Sequence, residues 1–77
     1  MNISNLKVGD KANIIHIDAD KSLKMRLQSF GIYKGVEIEV KEFSIGKQNV
    51  EISIGESLIG LRAVEMKVIE VKIINQV

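Results

Sequence analysis

Between Ser22 and Val40 the hydrophobic pattern changes period within a single turn, and that change constrains what the whole chain can fold into. Leu23, Leu27 and Phe30 recur at helical spacing, which predicts one apolar face on a short helix. Asp20 stands just upstream as an N-cap, because its carboxylate can accept from the unpaired amides of the first turn. Gly31 occupies the position after the helix, where a left-handed residue is wanted. Ile32 then falls where a Schellman ending returns an apolar residue to the last turn, against Leu27. Lys34-Gly35 reverses the chain again, and Val36, Ile38 and Val40 alternate with Glu37, Glu39 and Lys41, the pattern of a half-buried strand.

The remaining segments read as strands around this helix. Lys11–Asp18 is strand-like, but the adjacent Ile14 and Ile15 break the alternation, which requires either a bulge or burial on both faces. Val36–Phe43 and Asn49–Ile54 form a hairpin across a turn centred on Gly46. Glu56–Arg62 is a fourth strand; Gly60 inside it marks a bend or a close backbone approach. Ala63–Met66 is a turn or a single helical turn, and Lys67–Ile74 a fifth strand with Ile69, Val71 and Ile73 on one face. Five short strands and one helix after the first of them predict a mostly β fold, a small barrel, because a flat sheet would leave apolar surface and unpaired edges exposed.

At 77 residues the chain is expected to be one domain, residues 1–77, with a thin core. Neither disulfides nor thiolate metal sites are open to a sequence without cysteine. Met1 runs into polar sequence with no long apolar stretch, so a cytoplasmic protein is expected. The net charge of +1 is spread along the chain and only three residues are aromatic (Phe30, Tyr33, Phe43), which argues against a nucleic-acid surface. No phosphate-binding glycine loop or catalytic constellation is visible, so the chain is not expected to be an enzyme.

The segments LKVGDKANIIHI, SLKMRLQSFGIYKGVEIEV and ESLIGLRAVEMKVIEV together resemble the ferrous-iron transport protein A (FeoA) family, from about Leu6 to Val71. The most specific part is a Leu/Arg-containing helix followed by FGI-x-x-G and alternating Val/Ile; LIGLR-x-x-E is the second. The family usually carries Pro where this chain has Lys34. The resemblance implies an SH3-like five-stranded β-barrel. It also implies an accessory role beside the membrane-bound, GTP-hydrolysing ferrous-iron transporter FeoB, whose cytosolic portion would be the partner. The same domain type occurs at the C-terminus of metal-dependent repressors, but this chain has no room for a helix-turn-helix.

Two groups of side chains are candidate sites. His16 and Asp18 are two apart on the first strand, and imidazole plus carboxylate suits Fe(II) or Zn(II), so a metal-binding sensor or carrier is the alternative function. No cofactor is required by the pattern. Met25 and Arg26 on the helix and Tyr33 after it are residue types that serve at interfaces, and together form a candidate partner-binding patch. Arg62 can pair with Glu65 or fix the turn there, and the polar face Glu37, Glu39, Lys41 and Glu51 is accounted for by cross-strand pairing. The apolar last segment, VIEVKIIN, offers an edge through which a homo-oligomer could form.

Overall fold

The computed structural model describes residues 1–74. Five antiparallel strands form one sheet: β1 (Lys11–Ile17), β2 (Glu37–Phe43), β3 (Asn49–Ile54), β4 (Ser57–Arg62) and β5 (Ile69–Ile73), in the order β4-β3-β2-β1-β5. Helix α1 (Lys21–Ser29) links β1 to β2, and helix α2 (Ala63–Val68) links β4 to β5. The sheet rolls because two of its strands are bulged. The β1–β5 register slips between Ile14 and His16, and the β2–β3 register between Val40 and Glu42. An extra residue in one strand sharpens its bend and twist, which curls a short sheet around its own core. The first bulge accounts for the Ile14-Ile15 pair: Ile14 is buried and Ile15 turns outward.

Helix α1 is defined by its two ends. Asp20 Oδ1 accepts from the Leu23 N–H at 2.8 Å. At the other end the Gly31 N–H donates to Gln28 O at 2.9 Å and the Ile32 N–H to Leu27 O at 3.1 Å, with Gly31 at φ +87°. That is the paired bonding of a Schellman ending, and Leu27 and Ile32 both lie fully buried behind it. Phe30 departs from the expected apolar face. It is the C-cap, outside the last helical turn, and Ile32 takes the inward place instead, leaving the Phe30 ring 37% exposed beneath the Arg26 guanidinium.

The core joins every element: Ile14, Ile38, Val40, Ile52, Leu61 and Ile69 from the strands, Leu27 from α1, Met66 from α2, and Ile3 and Leu6 from the first turn. Two expectations for the second half are corrected. The Ala63–Met66 turn extends into a helix through Val68, so β5 begins at Ile69 rather than Lys67. The cause is Glu65, whose Oε1 accepts from the Arg62 N–H at 2.8 Å and so satisfies an amide at the start of α2. Gly60 makes no close approach: a Cβ placed there would meet nothing within 4 Å. The hairpin charges also pair differently. Lys41 Nζ lies 3.2 Å from Glu39 Oε2 along the same strand, while Glu51 faces Glu42 across it.

The outer edge of β5 is covered where the Val71 N–H donates to Met1 O and Asn2 bridges Glu70. The outer edge of β5 is thus bonded to the N-terminal residues at that point, and the end of the segment, Asn75, lies outside the described residues.

Candidate functional site

The connection between β1 and β2 brings together one end of a strand, one face of a helix and one turn. After the bulge at Ile15, His16 leaves β1 with its side chain exposed. Lys24 and Gln28 are four apart on α1 and so share a face. Past the Schellman ending, Tyr33 O accepts from the Val36 N–H at 3.2 Å with Gly35 at φ +94°, which makes Tyr33–Val36 a type II turn. Gly35 donates its N–H to Ile14 O at 2.6 Å, and the Ile14 N–H donates to Val36 O at 2.9 Å. Those two bonds fasten the turn to β1 and hold Tyr33 and Lys34 near His16. The result is a groove of about 360 Å³ lined by His16, Ile17, Lys24, Gln28, Tyr33 and Lys34.

The groove unites His16 and Tyr33, which the sequence assigned to different roles. The remaining candidates lie outside its lining. Asp18 follows the end of β1, is exposed, and donates its backbone N–H to Val68 O. Met25 is 59% exposed on α1. Arg26 has its Nε 3.5 Å from Glu65 Oε2 and its guanidinium 5.7 Å from the centroid of the Phe30 ring.

Glu65, the only buried charged residue among those described, was not singled out as a site residue in its own right. Its two oxygens tie three elements together, one holding the Arg62 amide between β4 and α2, the other facing Arg26 on α1. The sequence signal for it was the i, i+3 spacing of LIGLR-x-x-E, obscured because Arg occupies the position where a capping box carries Ser or Thr. The expected Arg62–Glu65 contact is thus made through the Arg62 backbone, and the guanidinium that meets Glu65 comes from Arg26.

His16 and Asp18 supply one imidazole and one carboxylate, and among the described residues no group of three or more His, Cys, Asp or Glu could hold an ion. Lys24 and Lys34 line the groove with His16, and Asp18 does not.

A bulged five-stranded antiparallel sheet rolled around its core, with two short connecting helices and a donor-lined groove, makes a small SH3-like β module. Its profile and its relatives are specific. The FeoA domain family matches residues 1–73, and the chain belongs to that family. It is 36% identical over 74 residues to an Fe(2+) transport protein A of Campylobacter jejuni subsp. jejuni, spanning 96% of this chain and all of that one. The solution structure of iron(II) transport protein A from Clostridium thermocellum superposes with a TM-score of 0.91 at 30% identity; the match spans 96% of this chain and 46% of that one. FeoA protein from Chlorobium tepidum superposes at 0.88 with 28% identity, spanning 97% of this chain and 71% of that one.

Proposed function

We propose that this protein is a non-catalytic accessory of ferrous-iron transport that docks on the cytosolic portion of the membrane transporter FeoB and modulates it. The observation that supports this reading best is family membership across residues 1–73, together with a relative of equal span named for Fe(2+) transport. No helix among the described residues is long and apolar enough to cross a membrane. A module of this kind acts by binding one transporter state more tightly than another; a partner that binds all states equally shifts nothing. Tyr33, Met25 and Arg26 are the side chains proposed to make the contact, with Arg26 presented by its ion pair to Glu65.

Calorimetric titration of the protein with the soluble GTP-binding domain of the transporter tests this, with GTP analogue, GDP or no nucleotide. Binding that changes with nucleotide is expected, and absence of binding in every state overturns the reading. Fe(II) titration of the same protein and of His16→Ala tests the alternative, a metal carrier acting through His16 and Asp18. Stoichiometric uptake lost in the variant would favour the alternative.

A further inference from the structure

The groove between the end of β1, α1 and the Tyr33–Val36 turn has a one-sided chemistry. Five of its six lining side chains (His16, Lys24, Gln28, Tyr33 and Lys34) carry hydrogen-bond donors, and none carries a carboxylate. In a chain with 11 basic and 10 acidic residues interleaved throughout, that local segregation is not the average arrangement. None of the five side chains takes part in a described hydrogen bond or ion pair, so Lys24 and Lys34 are open to a ligand, as are most lysines of this surface. The carboxylates nearest in sequence, Asp18, Asp20 and Glu37, do not line the groove, and Asp20 is engaged as the cap of α1. The frame is fixed, with α1 capped at both ends and the turn bonded to β1.

We infer that this groove is a docking site for an acidic peptide segment of a partner protein, with carboxylates received by Lys24 and Lys34 and one apolar side chain laid against the Tyr33 ring. Charge complementarity selects the carboxylates. Size selects a peptide over a small free anion, since a space of about 360 Å³ takes several side chains and falls within the roughly 300–1,000 Å³ of ordinary ligand clefts. The half-exposed Tyr33 ring gives an apolar surface that a bare phosphate would leave uncovered; Ile17, 8% exposed, adds little to it. This inference rests on the reading that the protein works by docking on another protein.

The test is a nitrogen-15 NMR titration with three probes: the blocked peptide acetyl-DEFDE-amide, its uncharged counterpart acetyl-NQFNQ-amide, and inorganic phosphate. The acidic peptide is expected to move the amides of His16, Lys24, Gln28, Tyr33 and Lys34 selectively, with the effect fading in high salt. The Lys24→Glu/Lys34→Glu variant is expected to bind it about tenfold more weakly or worse, and Lys24→Gln to show an intermediate loss with an unchanged fold. Equal shifts from the uncharged peptide, matching saturation by phosphate alone, or shifts confined to another face would each overturn the inference. A parallel titration with the transporter's GTP-binding domain separates the two readings. If that domain binds the charge-reversed and native proteins equally, the proposed function stands and the groove assignment falls. If it binds neither while the acidic peptide still binds the native protein, the groove stands and the transporter is the wrong partner.

Discussion

Glu65 shows how much one side chain can carry in so small a protein. It is 3% exposed, and its carboxylate serves the Arg62 amide and the Arg26 guanidinium at once. Glu65→Ala leaves an amide unpaired at the start of α2 and should cost about 2 kcal/mol. Arg26 is half exposed, so Arg26→Ala should cost only about 0.5 kcal/mol, because solvent screens such a pair. Urea midpoints of the two variants measure the difference, and equal losses would mean the ion pair rather than the backbone bond dominates. Glycines give a second comparison. Gly31 sits at φ +87° with open space around it, so Gly31→Ala pays for backbone conformation alone, about 1–2 kcal/mol. Gly60 has no positive φ and equally open surroundings, so Gly60→Ala should be neutral or stabilise by about 0.5 kcal/mol. Of the two reasons the sequence offers for Gly60, a bend or a close approach, the open surroundings remove the second.

Among the elements, legibility followed whether the determining residues were local. Helix α1 was readable because Asp20 and Gly31 bracket it within a few residues, and both act as their types suggest. Helix α2 was under-read because Arg occupies the position where a capping box carries Ser or Thr, and because Val68 runs straight into the apolar residues of β5. The bulge at Ile15 was one of two readings of the Ile14-Ile15 pair; choosing between them needed the β5 register, which sequence does not hold. The groove was half legible: His16 and Tyr33 were noticed, but only the bonds from Gly35 and Ile14 bring them together. The same turn yields a prediction. Lys34 is the second residue of a type II turn, where φ near −60° suits proline, and its N–H is in no described hydrogen bond. Lys34→Pro should therefore stabilise the fold by about 0.5 kcal/mol while removing one groove cation, and a thermal midpoint that falls instead would show that the turn needs the lysine's freedom.

At the scale of the molecule, the groove and the barrel share one core. Leu27 and Ile32, which anchor the groove's helix and turn, belong to the same buried cluster as Ile38, Ile52 and Leu61 on the strands. A domain of this length has a total stability on the order of 5–10 kcal/mol, so no part of that cluster can open without taking much of the rest. Ile52→Ala removes a fully buried side chain from the middle of the sheet and should cost about 3 kcal/mol, lowering the melting temperature by more than ~10 °C. If the core is one unit, this distant change must loosen the groove as much as the sheet. The chain provides its own probe: Tyr33 is the single tyrosine, there is no tryptophan, and its ring lines the groove. Tyrosine fluorescence therefore follows the groove, and far-ultraviolet circular dichroism follows the strands. In both the native protein and Ile52→Ala the two urea transitions should coincide, as a two-state domain requires. A fluorescence transition preceding the dichroism would mean that α1 and its turn detach first, and that partner binding at the groove draws on local order rather than on the stability of the whole barrel.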